Sequence, residues 1–546
     1  MSGGERKEIR YGEHESSGGA DILRASFSEG GYFFEIEDIT AERKDVPGVL
    51  VSRSIKARPE EDFNECSEGI MFEVMLPVEL PPNCKWRFCS PSIDMTRPRK
   101  MVYKKRKTYQ GEIESGNLFG AYNCDKHVMY SIYRSSMSLK GILIPKESTF
   151  KHIRQMESMA ALGYEVIGRD ELEFIISWPM ATDYYLMDGS PIDIYLEYTI
   201  LTDKAPTFSD GMFNTYKHFV YEVLKPDINE IKKERTDGFR QTKERLEGLY
   251  RRTENGPESF SGDSDVIGYG MGERNIKLAL FMAFSEGGKW IGVLERMTDF
   301  FVSNCVSTSG FGYTSFDIKE NRPVSMIEGN YVIAMTEAAF DVLRAYRFLK
   351  KRGINKPAWL ELVRRYADYL IKIQNSDGSW YHAYDEEGNE VEIRTKEKVR
   401  FEVKDAVRKT GAGVPLSLIS RLAIYLESIN LNADEYKAAA LLCAQYVIKN
   451  IVRFEMYLGA DPDYPSAFAK DSAKYALMGL YNTYELCGDE KYLEGAVSAA
   501  KLFVVWNNGD FPCDCVELYK LGLKTGEEIF TMSTYYSFMD FDIEEL

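Results

Sequence analysis

Residues 328–374 read EGNYVIAMTEAAFDVLRAYRFLKKRGINKPAWLELVRRYADYLIKIQ. The first half, 328–351, is apolar nearly all round: Val332, Ile333, Met335, Ala338, Ala339, Phe340, Val342, Leu343 and Ala345 fall on every side of a helix, so that helix must be buried. The second half, 356–374, carries a single apolar stripe of Trp359, Leu362, Val363, Tyr366, Leu370 and Ile373, with Glu361, Arg364, Arg365, Asp368 and Lys372 opposite. That helix keeps one wet face. The link between them, which contains Gly353, is too short for anything but an antiparallel hairpin.

Working outward, the same unit recurs. Segments 274–285 and 289–305, 412–430 and 433–451, and 470–487 and 489–506 pair in the same way, with Gly287, Gly288, Asn432 and Gly488 in the short links. Between pairs the links are long: 306–327, 375–411, 452–469 and the stretch from 507 onward. Because helix direction alternates, all short links fall on one face and all long links on the other, where binding residues concentrate. Solenoid repeats are more regular and do not grow such loops, so the expectation is a helical toroid. An early helix at 211–224 and the start of another inner helix at 530–541 add to the four pairs, short of the twelve helices of a ring of six such pairs, so the expectation is either a ring that is incomplete or open or a chain without a last outer helix.

Upstream, the period drops to two. Runs at 22–27, 32–36, 49–55, 70–76, 128–133, 139–144, 172–178 and 192–201 are rich in Val, Ile, Tyr and Phe and are separated by Gly, Pro, Asp and Ser, as in an antiparallel β-sandwich. The expected layout is a disordered segment at 1–20, a β-sandwich at 21–205, a charged helical linker at 206–270 and the toroid at 271–546. The basic cluster Arg97, Arg99, Lys100, Lys104, Lys105, Arg106 and Lys107 reads as a solvated hairpin.

Charge removes several function classes. With 68 Lys and Arg against 85 Asp and Glu, the net charge of −17 repels phosphate backbones, so nucleic acid is not an expected partner. No apolar run is long enough to span a membrane and the N-terminus has no signal-like core, so no membrane partner is expected. The nine cysteines are scattered without metal-ligand spacing, which fits free thiols in the cytoplasm and argues against zinc. Neither a Walker loop nor a G-x-G-x-x-G after a strand occurs, so no cofactor is expected, and self-association stays open.

At the end of the second outer helix stands Gln374-Asn375-Ser376-Asp377-Gly378-Ser379-Trp380-Tyr381. This segment resembles the Q-x-x-D-G-x-W turn of the six-hairpin, or (α/α)6-toroid, glycosidase superfamily. A leading β-sandwich joined to the toroid by a charged helix resembles the bacterial glucoamylase and disaccharide phosphorylase arrangement. Physically, Gly378 permits a left-handed turn after the helix, Asp377 can accept from backbone N–H groups, and Trp380 can staple the outer layer. The resemblance implies a carbohydrate substrate. The aromatic residues Trp380, Tyr381 and Tyr384 are then expected to cover apolar sugar faces, with Asp377, Tyr313, His382 and Tyr464 completing the subsite.

Glycosyl hydrolysis needs two carboxyl groups flanking the scissile bond. In a toroid they should lie in long links or in the first turns of inner helices, which leaves Asp317, Glu320 and Glu328; Asp377, Asp385, Glu386, Glu387 and Asp405; Asp461, Asp463 and Asp471; and Asp510 and Asp514. Glu328 is favoured because it is read as opening an apolar helix, where burial would suit it to acid work. Asp463, on the rigid Asp461-Pro462-Asp463-Tyr464-Pro465 loop, is the first choice of partner, followed by Asp385 and Asp317. Two other readings stay open: a polysaccharide lyase using Tyr381 and His382 as the acid/base pair, and a non-catalytic carbohydrate-binding protein of the same fold. The cations Arg394, Lys396, Lys398, Arg400, Lys404, Arg408 and Lys409 of the third link extend the expected substrates to uronic acids.

Overall fold

The computed structural model describes residues 10–29, 31–61, 72–79, 86–89, 108–113, 118–140, 143–145, 161–167, 171–178, 185–187, 191–224, 228–252, 257–262, 264–271, 273–325, 327–393, 408–410, 413–455, 457, 459–460 and 470–509. These fall into two compact units, one formed mainly by residues up to Asp227 and the other by Ile228–Phe503. The basic cluster at 97–107, the Asp461 to Pro465 loop, Asp405, Asp510, Asp514 and the segment 530–541 lie outside the described residues.

The first unit is antiparallel. Its strands are β1 (Glu13–Ser17), β2 (Ala20–Glu29), β3 (Tyr32–Glu42), β4 (Gly48–Pro59), β5 (Phe72–Glu79), β6 (Trp86–Cys89), β7 (Thr108–Ile113), β8 (Leu118–Asn123), β9 (Val128–Lys140), β10 (Leu143–Pro145), β11 (Ala161–Ile167), β12 (Glu171–Trp178), β13 (Tyr185–Met187) and β14 (Ile192–Lys204). An eight-stranded sheet runs β1-β2-β3-β4-β14-β9-β8-β6, a four-stranded sheet runs β5-β12-β11-β7, and β10 pairs with β13. The period-two reading holds where both faces differ: Tyr32 and Phe34 of β3 are buried while Phe33 and Glu35 are exposed.

Two sequence expectations change here. The segment expected to be disordered contains β1, whose side chains are all exposed and which therefore carries no apolar signal. Its place is set by the turn: Ser17 pairs with Ala20 across Gly18 and Gly19, both at positive φ, the two-residue connection that matches strand twist. The stretch 206–270 is also not one linker. Helix α1 (Phe208–Phe219), capped by the Thr207 hydroxyl on Asp210 N–H, belongs to the first unit and packs Met212 and its neighbours on β8 and β9. Helix α2 (Ile228–Leu249) belongs to the second unit.

The second unit is built from helical hairpins. They are α3 (Asn275–Glu286) with α4 (Lys289–Asn304), α5 (Val332–Lys351) with α6 (Pro357–Lys372), α7 (Val414–Ser428) with α8 (Asp434–Asn450), and α9 (Lys470–Cys487) with α10 (Glu490–Gly509). Every position of α5 except Arg347, Lys350 and Lys351 is buried, whereas α6 buries the Trp359, Leu362, Val363, Tyr366 and Leu370 stripe and exposes Glu361 and Asp368. Helices α3, α5, α7 and α9 pack in succession as an inner layer, and α4, α6 and α8 in succession as an outer one.

The short links follow helix-end chemistry. Gly353, at φ +80°, donates to Lys350 and Ile354 donates to Leu349, closing α5 in a Schellman motif, and Asn430 and Leu431 close α7 in the same way. Pro357 then sits at the start of α6, where its missing N–H is harmless.

The long links are stitched to one another at the other face. Strand β18 (Ser315–Asp317) pairs with β17 (Val266–Gly268) and β19 (Arg322–Val324), while β20 (Asn330–Tyr331) pairs with β21 (Ala383–Tyr384). The last pairing corrects one boundary: Glu328 does not open α5, because Asn330 and Tyr331 are taken into the ladder and the helix begins at Val332. The close approach of link and outer helix is tightest at Gly312, where a Cβ would overlap the Tyr366 phenol ring. Gly312→Ala should therefore lose about 1–3 kcal/mol of stability. Gly248→Ala, where a Cβ meets nothing within 4 Å, should be neutral or slightly stabilising. Equilibrium denaturation of the two variants checks the contrast, and equal midpoints would contradict it.

Candidate active site

The turn after α6 is a structural junction. Gln374 Nε2 donates to the Gly378 and Ala439 carbonyls at 3.1 Å each, and Gly378 adopts φ +91° against the Leu442 backbone, where any Cβ would collide. Asp377 Oδ1 accepts from Ser379 N–H at 3.0 Å and Oδ2 from Lys409 Nζ at 2.7 Å. Partial burial opposes its charge, but those donors prevail and hold its carboxyl below the usual range.

Trp380 is fully buried, with its indole N–H on the Leu370 carbonyl at 2.7 Å, and buried Tyr384 donates to the Ile373 carbonyl at 3.3 Å while accepting Tyr381 N–H at 2.9 Å. Both rings anchor the link to the end of α6, so neither presents a face to a sugar as expected from the sequence. Tyr381 is half-buried under the Arg408 guanidinium, 4.8 Å from its ring centre, and His382 is buried with its carbonyl holding Val332 N–H. Arg408 and Lys409, the described cations of the third link, are paired with Glu390 and Asp377.

The carboxyl groups of the long links differ in what binds them. Asp385 accepts Asn389 N–H at 2.7 Å and Asn389 Nδ2 at 2.9 Å, and Asp317 accepts Glu320 N–H at 2.9 Å, so both close turns. Glu386, half-buried, accepts from Tyr313 Oη at 3.2 Å and Ser309 Oγ at 3.3 Å, which ties the two long links together. Burial first, then the Glu386 charge, pushes the Tyr313 phenol above its ordinary range. Glu328 is exposed, two residues before β20, so the burial expected for it from the sequence is absent. Asp463 and Tyr464 lie outside the described residues.

Below this mouth lies a cluster that sequence reasoning missed. Arg274, immediately before α3, donates Nε and Nη2 to the two Asp341 oxygens at 2.8 and 2.5 Å and Nη1 to Glu337 Oε1 at 3.0 Å. Tyr475 of α9 also donates to Glu337 Oε1, and Met271 N–H donates to Oε2 at 3.1 Å. Glu337 and Asp341 are one turn apart on α5, hence on one face. Asp341 is completely buried, and burial raises its carboxyl above the usual range even though Arg274 pulls it down. Tyr331, Ala334, Ala383, Val414, Ala460 and Tyr475 form an apolar cluster at the same level. The available sequence signal was two acids at i and i+4 in a helix without a polar face, which requires a buried cation.

No protein-family model matches the chain. No curated protein matches it either. Among solved structures, a cellobiose 2-epimerase from Spirochaeta thermophila is 11% identical at TM-score 0.38, the match covering 48% of this chain and 65% of that one. A polysaccharide lyase is 10% identical at TM-score 0.37, over 90% of this chain and 70% of that one. An alpha-mannanase from Bacteroides thetaiotaomicron is 13% identical at TM-score 0.34, over 54% of this chain and 80% of that one.

Arg274 is the only described donor shared by Asp341 and Glu337. Arg274→Met should therefore strip both buried carboxylates of their hydrogen-bonded cation, with the Lys277 and Arg344 charges still acting on Asp341, and cost about 3–5 kcal/mol. Arg274→Lys should recover only part of this, because an ammonium cannot reproduce the three-way fork. Denaturant midpoints test both, and a wild-type midpoint for Arg274→Met would show that the fork contributes little.

Proposed function

We propose that the protein is a carbohydrate-active enzyme that hydrolyses a glycosidic bond with a pair of carboxyl groups, on a β-sandwich followed by an (α/α)6-type toroid. The observation that carries this reading is the convergence at one end of the inner helices: long links stitched together by the β20 and β21 pairing, carboxylates on those links, and a buried charged cluster beneath them. Two carboxyl groups in unlike surroundings are what glycosyl transfer to water requires. The Gln374 to Tyr381 turn supports the same assignment through its likeness to the six-hairpin glycosidases.

In this reading Glu328, an exposed carboxyl two residues before β20 at the long-link end, is the acid that protonates the leaving oxygen, and Tyr381 and Tyr313 border the substrate. Asp385 and Asp317 are set aside from chemistry by the turns they close, and Trp380 and Tyr384 act as anchors. The substrate is an oligosaccharide or glycoside, with uronides included because the sequence of the third link is rich in Arg and Lys.

The test is turnover on a panel of aryl glycosides and of saturated and unsaturated uronides, with wild type and Glu328→Gln side by side. Loss of the transferable proton should lower turnover by at least about two orders of magnitude, with melting unchanged because the residue is exposed. Equal turnover in the two proteins would remove Glu328 from the mechanism, and an inactive wild type across the panel would overturn the glycosidase reading.

A further inference from the structure

Among the link carboxylates, Asp317, Asp377 and Asp385 close turns, Glu386 joins two links and Glu390 pairs with Arg408. The deeper cluster offers something different. Three separate inner-layer elements bring a side chain to one point: Arg274 just ahead of α3, Glu337 five residues into α5 and Tyr475 five residues into α9. Equal depth from the helix starts places Glu337 and Tyr475 at about 7–8 Å below the first residue of their helices, at a rise of about 1.5 Å per residue. The contacts are long-range, with Glu337 separated by 63 residues from Arg274 and by 138 from Tyr475.

The two Glu337 oxygens are not equivalent. Each carboxylate oxygen offers two acceptor positions. Oε1 takes both Arg274 Nη1 and Tyr475 Oη, which fills it and fixes the plane of the group. Oε2 takes Met271 N–H, leaving it with one acceptor position. Asp341 differs in kind: it is wholly buried, and both its oxygens are gripped by Arg274. Glu337 keeps 10% of its side chain exposed, against 0% for Asp341, and it is the one nearer the mouth.

Resting on the glycosidase reading above, we propose that Glu337 is the general base of the carboxyl pair, with Arg274 and Tyr475 as positioning residues and Asp341 as the anchor of Arg274. A water hydrogen-bonded to Oε2 gives a proton to that oxygen as its own oxygen bonds to the anomeric carbon. The glycosidic C–O bond breaks, its electron pair goes to the leaving oxygen, and Glu328 supplies the proton there. Bulk water then returns a proton to Glu328 and takes one from Glu337, so the sum is glycoside plus water giving the free sugar, a hemiacetal, and the leaving alcohol. Because water attacks from the face opposite the leaving group, the product anomer is inverted.

The experiment takes the panel glycoside that wild type cleaves fastest. Proton NMR of the first product should show inversion, and retention would overturn the base assignment whatever any variant does. Glu337→Gln should lower kcat by about 10²–10⁴-fold with KM within a few-fold of wild type. Azide should restore turnover to Glu337→Ala by at least tenfold, giving a glycosyl azide, because a small anion can enter the vacated volume and needs no base. Asp341→Asn is the structural comparison: its losses should appear in melting temperature and should not respond to azide. Undiminished kcat in Glu337→Gln, or lack of azide rescue in a folded Glu337→Ala, would sink the proposal while an active wild type keeps the glycosidase reading. An inactive wild type would sink both.

Discussion

Arg274 binds two carboxylates that α5 presents one turn apart, and much of the inner layer is arranged around that fork. A guanidinium can do this because its donors point in fixed directions in one plane, so Nε and Nη2 meet both oxygens of Asp341 while Nη1 reaches Glu337. The consequence is a fixed rotation of α5 about its own axis relative to α3. Tyr475 then adds α9 to the same point. Apolar packing alone tolerates small rotations of a helix that is greasy on every side, as α5 is, whereas directional bonds to buried charges do not.

The layered helices were legible in the sequence because their signals are local. Periodicity separated the buried α5 from the half-wet α6, and Gly353 and the Gly287 and Gly288 pair mark helix ends by backbone conformation that few other residues adopt, whereas the left-handed residue after α7 is Asn430 and not the Asn432 singled out in the sequence. Strand β1 left no such trace. Its EHESS sequence is wholly exposed at a sheet edge, so pairing with β2 and the Gly18-Gly19 turn hold it, and neither shows as an apolar pattern. The start of α5 was misplaced for a related reason. Asn330 and Tyr331 are claimed by a strand partner more than fifty residues away, a long-range competition that helix periodicity does not register.

The site was legible only in outline. Alternating link lengths separated the long-link end from the short-link end, and the turn geometry expected of Gly378 and Asp377 is present, since each has a conformation or donor set that the turn supplies. The aromatic residues were another matter. Trp380 and Tyr384 could lie over a sugar or under the link, and composition does not choose; the carbonyls left at the end of α6 decide it, because Leu370 and Ile373 accept the indole and phenol hydrogens. The Arg274, Glu337, Asp341 and Tyr475 group was missed for the opposite reason: Glu337 and Asp341 stand out as two acids in an apolar helix, but nothing local marks Arg274 and Tyr475 as their partners, and only the packing of three inner helices makes them neighbours.

A stability argument by itself does not account for that group. Buried ion pairs gain little over well-packed apolar residues of the same volume, and desolvating two carboxylates and a guanidinium carries a penalty of several kcal/mol per ion before their attraction is counted. The rest of α5 shows the alternative the chain has available, with Ala, Val, Leu, Met and Phe filling the adjoining positions at near-zero exposure. Specifying helix register would need only one polar contact, yet here a fork, a tyrosine and a backbone N–H converge on two carboxylates, and the less buried of the two keeps one oxygen with a single donor. Fixing one oxygen of a carboxylate with two donors while leaving the other with one holds the group's plane and keeps an acceptor position, which is the geometry that a proton acceptor needs.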